Sequence, residues 1–228
     1  MILQNFIVFE GIDGAGTTTQ IDALKKRADG TNMLFTAEPT SAETGKFLRK
    51  MLRGEIPISN ETAAYAFAAD RNEHINGNLL IEGNSLVTGV REACANGNLV
   101  ISDRYFFSSL AYQSVGIKAE IPRTLNSFFP LPELLFFFSL DPETALRRID
   151  GRTAKEIYEK AEFLESVSAE YRNVLSEYDG TPLGSGMKTV YIDATLPKEQ
   201  IGQQIWEELN SAGKIRSCPS PHLPIYKK

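Results

Sequence analysis

Five short, β-rich apolar runs alternate with longer segments of helical spacing, and this alternation constrains the fold more than any other feature of the chain. The runs are Phe6-Ile7-Val8-Phe9, Met33-Leu34-Phe35, Leu99-Val100-Ile101, residues 134–138 and Val190-Tyr191-Ile192. Between them, residues 18–28, 44–52, 62–80, 86–95 and 161–178 space their apolar side chains as helices do. A strand that is apolar on both faces must be covered on both faces, which calls for a parallel sheet between two helix layers. With right-handed crossovers, this predicts a doubly wound α/β fold around a five-stranded, mostly parallel sheet. No internal repeat is present.

A chain of 228 residues fits one large domain, and 42% hydrophobic with 23% charged residues is an ordinary globular balance. The net charge of −5 argues against a nucleic-acid surface, though a local site for a small anion is compatible with it. Cys94 and Cys218 stand far apart in no metal-ligand spacing. No apolar run approaches the ~20 residues of a membrane span. The first residues lack a basic leader region and run straight into a glycine turn, which reads as a buried strand and a cytoplasmic protein. A polar break near residues 149–159 suits a small lid, closing a single domain over 1–213, and the three-proline segment 214–228 reads as an extended tail.

After the first run comes Phe9-Glu10-Gly11-Ile12-Asp13-Gly14-Ala15-Gly16-Thr17-Thr18-Thr19-Gln20. Against G-x-x-x-x-G-K-[ST] it supplies Gly11, Gly16 and Thr18, between an expected strand and an expected helix. Glycines there let successive N–H groups turn toward an anion, and the helix adds the positive end of its dipole. Thr18 stands where a hydroxyl would meet Mg2+. Thr17, however, holds the lysine position, and threonine brings one hydrogen bond but no charge. On its own the loop fits a structural glycine turn as well as a nucleotide site.

Four segments taken in order resemble the thymidylate kinase family. They are the loop itself; Phe67-Ala68-Ala69-Asp70-Arg71-Asn72-Glu73-His74; Ser102-Asp103-Arg104-Tyr105 with Ser108-Ser109-Leu110-Ala111-Tyr112-Gln113; and Pro132-Glu133-Leu134 through Asp141-Pro142 to Ala145-Leu146-Arg147-Arg148-Ile149. The resemblance covers roughly residues 4–195 and implies a P-loop kinase fold, ATP as phosphate donor, Mg2+ as cofactor, dTMP as acceptor and a homodimer, with no nucleic acid or membrane as partner.

Residue by residue, it implies that Gly11, Gly14, Gly16, Thr17, Thr18 and Thr19 cradle the ATP phosphates, with Thr18 and Asp103 near the metal. Phe67 would stack on thymine and Arg71 would meet its carbonyl edge. Arg104 would grip the acceptor phosphate, Tyr105 would crowd the sugar, and Asp13 would accept from its 3′-hydroxyl. Ser109, Tyr112 and Gln113, at i, i+3 and i+4 of one helix, would face the base. Arg148 and Arg152 of the lid would close over the transferring phosphates, joining Asp13 and Arg104 as catalytic candidates. Arg147 reads as a solvated helix end. The bland alternatives are a core role for Phe67 and a surface pair for Asp103-Arg104.

Two positions depart from the family pattern. Thr17 replaces the loop lysine, and Ala37, in Thr36-Ala37-Glu38-Pro39-Thr40, replaces an arginine found in many bacterial relatives. Arg49, Arg53 or Lys46 are candidate substitutes for the missing charge. Three functions therefore stay open: dTMP phosphorylation, a catalytically impaired or non-catalytic nucleotide-binding relative, and another deoxynucleoside or nucleotide kinase.

Overall fold

The computed structural model describes residues 1–149 and 161–216. Along these residues β1 (Ile2–Gly11) leads to α1 (Thr17–Lys25), β2 (Met33–Ala37), α2 (Glu43–Leu52) and α3 (Asn60–Asn76). A short hairpin of β3 (Leu80–Glu82) and β4 (Ser85–Thr88) precedes α4 (Val90–Ala95), β5 (Leu99–Asp103), α5 (Phe106–Ser114) and α6 (Glu120–Asn126). Then come β6 (Leu131–Ser139), α7 (Pro142–Ile149), α8 (Ala161–Tyr178), β7 (Lys188–Asp193) and α9 (Lys198–Ser211).

All five expected runs are strands, and they pair in parallel in the order β2-β5-β1-β6-β7. The sheet nevertheless has seven strands, not five, because β4 joins β2 in parallel and β3 closes the edge antiparallel to β4. The expected helices at 62–80 and 86–95 overran this hairpin. Gly83, at φ 60°, makes its turn, and Gly89, at φ 81°, separates β4 from α4. Such backbone angles disfavour any residue with a Cβ.

Phe6, Ile7, Val8 and Phe9 are completely buried, as the two-layer argument requires. Helix α5 packs on α8, α1 on α9, and α3 on both α2 and α4. Leu48, Met51 and Leu52 of α2 meet Ala63 of α3 in a second small core, with Phe67 packed against it. Burying one such leucine contributes about 2 kcal/mol.

Register decides what meets at the carboxyl edge of the sheet. Asp103, at the end of β5, lies opposite Phe9 of β1 on one side and Ala37 of β2 on the other. The glycine turn after β1, the Asp103-Arg104 pair and the Glu38 loop therefore leave the sheet side by side, where open α/β sheets bind ligands.

Candidate active site

A cavity of about 470 Å³ opens at this edge, lined by the glycine turn, the end of β2, one face of α2, Phe67 and Arg71 of α3, and the Asp103–Gln113 segment. Gly14 (φ 84°) and Gly16 (φ 94°) take the left-handed conformations that curl the turn, and Gly16 is the N-cap of α1. No side chain caps α1, so its first N–H groups remain available to an anion. Thr17 is buried as the first residue of α1, while the Thr18 and Thr19 side chains are exposed. The Thr18 hydroxyl donates to Asp103 Oδ2 at 2.6 Å, and Asp103 Oδ1 is buried with no hydrogen-bond partner.

Arg104 sits at the centre of a hydrogen-bonded cluster on one side of the cavity. Its Nη2 reaches Asp13 Oδ1 at 2.5 Å, and its Nη1 donates to the Gly11 carbonyl and the Ser108 hydroxyl, each at 3.0 Å. The Tyr112 hydroxyl donates to Asp13 Oδ2 and accepts from the Asp13 N–H, both at 3.0 Å. Burial opposes the Arg104 charge, but the oxygens of Tyr112, Asp13, Tyr171 and Glu10 outweigh it and push its pKa up, so it stays a cation. Burial likewise raises the Tyr112 phenol, which stays a neutral hydroxyl. Asp13 and Arg104 each remain about one-fifth exposed, at 20% and 21%, which leaves surface for a ligand.

The Phe67–His74 segment turns out to serve two purposes. Asp70 accepts from the Thr40 N–H (2.8 Å) and from the Thr40 and Thr44 hydroxyls (both 2.6 Å), anchoring the loop between β2 and α2. His74 bridges Thr36 and Glu38 from the same helix. Arg71 binds Glu38 at 2.6 Å, Asn126 Oδ1 at 2.5 Å and the Ser109 hydroxyl at 3.0 Å. It borders the cavity but is 1% exposed, so it forms a fixed wall rather than a free arm. Phe67 is half-buried, packing on the α2–α3 core while also lining the cavity, so both of its proposed roles have structural support. Gln113 lines the cavity with a buried, unpartnered Oε1, an acceptor suited to a ligand N–H.

Tyr105 and Arg148 are both held by partners that the sequence does not show. Tyr105 borders the cavity but is fully buried, its ring edge-on to Phe6 and its hydroxyl donating to the Pro130 carbonyl at 3.0 Å. The cause lies in Arg104, whose φ of 72° breaks the strand alternation and turns the following side chain inward. Arg148 does not line this cavity. Its Nη2 donates to the Ala194 carbonyl at 2.9 Å, in a second cavity with Gly14, Gly16, Thr19, Leu196 and Lys198 on the other side of the glycine turn. Arg147 pairs with Glu143 at 2.7 Å on the surface, as expected. Arg152, the 149–159 lid beyond Ile149, and the tail beyond Arg216 lie outside the described residues.

Sequence reasoning left Arg49 and Arg53 unplaced and overlooked Glu38 and Glu10. Arg49 and Arg53, one turn apart on α2, both line the cavity; Arg49 donates to the Pro39 carbonyl, and Arg53 meets Glu55 at 2.5 Å. Glu10 carried a signal, since it is the one charged residue of β1 and follows the apolar run Phe6-Ile7-Val8-Phe9.

Four arginines and three carboxylates line the cavity, so a chain of net charge −5 is locally cationic here. Arg71 pairs with Glu38, Arg104 with Asp13 and Arg53 with Glu55, while Arg49 donates to the Pro39 carbonyl, so each cationic side chain of the lining is already engaged. The unpartnered Asp103 oxygen beside the Thr18 hydroxyl is a hard-oxygen pair that fits Mg2+, which commonly takes one or two protein oxygens plus phosphate oxygens. Among the described residues, no helix is long and apolar enough to cross a membrane.

Comparison with known proteins agrees with this arrangement. The family described as Thymidylate kinase matches residues 9–205. A relative from Treponema pallidum (strain Nichols) is 36% identical over 217 residues, covering 94% of this chain and 99% of that one. The "Probable thymidylate kinase" of Methanococcus aeolicus is 39% identical over 178 residues, 77% of this chain and 81% of its own. The "Thymidylate kinase" of Leptospira interrogans is 35% identical over 208 residues, 89% and 92% of the two chains. With a family match over residues 9–205, a relative 36% identical over 94% of the chain, and the glycine turn, the Asp103-Arg104 turn, Phe67 and Gln113 around one cavity, the chain belongs to the thymidylate kinase family.

Proposed function

We propose that this chain transfers the γ-phosphoryl group of ATP to the 5′-phosphate of dTMP, forming dTDP and ADP. The observation that carries this is the single cavity in which an anion-binding helix start, a cationic Arg104 and an aromatic wall with an unpartnered amide oxygen converge. Thymine would stack on Phe67 with its N–H toward Gln113 Oε1, and the Arg71–Ser109 wall would border its polar edge. The 3′-hydroxyl would reach Asp13, whose carboxylate is already oriented by Tyr112 and Arg104.

Arg104 would hold the acceptor phosphate at the sheet edge, in line with a donor whose phosphates rest on residues 14–19. The second cavity, which shares Gly14, Gly16 and Thr19 with the first, would receive the donor's nucleoside beside Arg148. Transfer by this scheme needs positioning and charge stabilisation, with no covalent intermediate on the protein. Mg2+, held through Asp103 and the Thr18 hydroxyl, would offset charge on the donor phosphates. Arg49 and Arg53 line the same cavity and would have to exchange their present partners, the Pro39 carbonyl and Glu55, to offset the charge that Thr17 does not. The proposal extends to a cytoplasmic homodimer working on small molecules, with exposed Tyr65 on α3 and Val115 beyond α5 as apolar surface for the contact.

Thr17 also motivates a second possibility, a relative that binds nucleotide without turning it over. A coupled assay with dTMP and Mg-ATP, run beside thermal shifts with dTMP, dUMP, thymidine and ATP, separates the two. Turnover with dTMP and a larger shift from dTMP than from thymidine is the expected result. A dTMP shift without turnover would favour the binding protein, and a thymidine shift without a dTMP shift would point to a nucleoside kinase.

A further inference from the structure

Glu10 ends the first strand as a carboxylate with no exposed area at all. Removing a charge from water is unfavourable unless every oxygen finds donors. Here Oε1 accepts from the backbone N–H groups of Tyr105 (2.8 Å) and Ser108 (3.1 Å). Oε2 accepts from the hydroxyls of Ser108 (2.6 Å) and Tyr171 (2.8 Å). Both oxygens act as acceptors, the pattern of an ionised carboxylate. Burial pushes the carboxyl's pKa up, and the Arg104 charge and these four donors pull against it.

The two N–H groups belong to the start of α5, where Tyr105 is the N-cap and Ser108 is the third helical residue. Tyr105 offers no side-chain cap, because its ring is committed to the core. Glu10 does from a neighbouring strand what an N-cap side chain normally does from the helix itself. Arg104 lies immediately before this cap, at φ 72°, a conformation a non-glycine residue holds only when its surroundings fix it. Its N–H donates to the Phe9 carbonyl at 2.9 Å, its carbonyl accepts from the Ser102 hydroxyl at 2.7 Å, and Glu10 clamps the next residue. Ser108 completes the circuit by donating to Glu10 while accepting from Arg104 Nη1 at 3.0 Å. The Tyr171 hydroxyl, brought in by α8 and already donating to Glu10, lies 2.9 Å from the Ser108 hydroxyl and 3.3 Å from the Gly11 carbonyl.

From this geometry we infer that Glu10 is a positioning residue for the acceptor phosphate. It caps α5 across the sheet and thereby holds Arg104 in the strained turn that presents its guanidinium to the cavity. The inference rests on the assignment of Arg104 to the dTMP phosphate, and its test treats the two separately.

The experiment measures dTMP and thymidine binding by titration, together with KM for dTMP and for ATP, in the natural chain, Glu10→Gln, Arg104→Ala and the double variant. Glu10→Gln keeps the shape but gives the knot an amide donor, which the Ser108 hydroxyl can meet only by giving up its bond to Arg104 or to the carboxylate position. Expected are a rise of about tenfold in the dTMP KM and dissociation constant, unchanged thymidine binding and an unchanged ATP KM. In the Arg104→Ala background, Glu10→Gln adds nothing further. Equal losses for dTMP and thymidine, or for dTMP and ATP, would reduce Glu10 to general support and overturn the proposal. So would effects that multiply in the double variant. Arg104→Ala leaving dTMP binding unchanged would instead sink the assignment of the phosphate. Should Glu10→Gln fail to fold, Tyr171→Phe removes one donor from the same carboxylate. It should weaken dTMP about threefold and leave thymidine alone; no change in that ratio would also overturn the proposal.

Discussion

The two sides of the main cavity, which the proposed function assigns to acceptor and donor, are built on different principles. On the acceptor side, Asp13, Arg71, Arg104, Ser109 and Tyr112 each hold a side-chain partner from another element. On the donor side, the surface offered is mostly backbone: the turn at Gly14–Gly16 and the uncapped start of α1, with Thr18 to Asp103 as the one side-chain tie described above. A network of side chains fails when one member changes, because the remaining partners are left buried and unpaired. A backbone cradle depends little on residue identity as long as its glycines keep their angles. That difference gives a physical reason why the two departures from the family pattern, Thr17 and Ala37, lie at the glycine turn and the end of β2, outside the side-chain network.

The strongest way to break the comparison is Arg104→Ala. Four neighbours lose a partner at once: Asp13, Ser108, the Gly11 carbonyl and the Tyr171 hydroxyl. Truncating one member of a buried, hydrogen-bonded charge pair costs about 2–5 kcal/mol, so kcat/KM for dTMP should fall about 10³-fold in steady-state kinetics. ATP binding, measured by titration without dTMP, should change less than about twofold, since the hydrogen bonds of Arg104 to the glycine turn go to the Gly11 carbonyl and Asp13, not to the uncapped start of α1. Equal losses on both substrates would mean that the two sides are one network.

Phe67→Ala is a milder test of the acceptor side. The ring lines the cavity and also closes the α2–α3 core, so truncation should lower both dTMP affinity and stability. Loss of a base–aromatic stack is worth about 1–3 kcal/mol, giving a rise of about tenfold or more in the dTMP KM with kcat little changed. Phe67→Tyr separates the two contributions, since it keeps the stacking face; recovery of the KM would assign the effect to stacking rather than to the core.

Much of this contrast was legible in the sequence, and the parts that were not have definite causes. Five parallel strands could be read because continuous burial leaves continuous apolar runs. The shared face of Ser109, Tyr112 and Gln113 could be read because α5 is regular. The β3–β4 hairpin escaped because strands of three and four residues carry too little pattern to separate from a helix end. The full burial of Tyr105 could not be read because one positive-φ residue redirects the side chain that follows it, an effect no periodicity records. Glu10 and Glu38 act over separations of about 30 to 160 residues, visible in sequence only as charges in apolar surroundings.

Thr17→Lys is the smallest and sharpest change, because it adds to the donor side what the comparison says it can do without. Position 17 lines the cavity in the first turn of α1, so a lysine stem has about 470 Å³ of space to enter without displacing the core. A unit charge about 4 Å from a phosphate contributes ~4 kcal/mol at the effective dielectric of a protein surface, equivalent to about 10³ in rate if nothing else supplies it. Arg49 and Arg53 already line the same cavity, so the added charge should be largely redundant. The expected outcome is a change in kcat of less than about tenfold at saturating dTMP and Mg-ATP, with the dTMP KM within about twofold. A gain of 100-fold or more would show instead that the backbone cradle lacks a charge it needs, and that the donor side depends on side-chain identity as strictly as the acceptor side does.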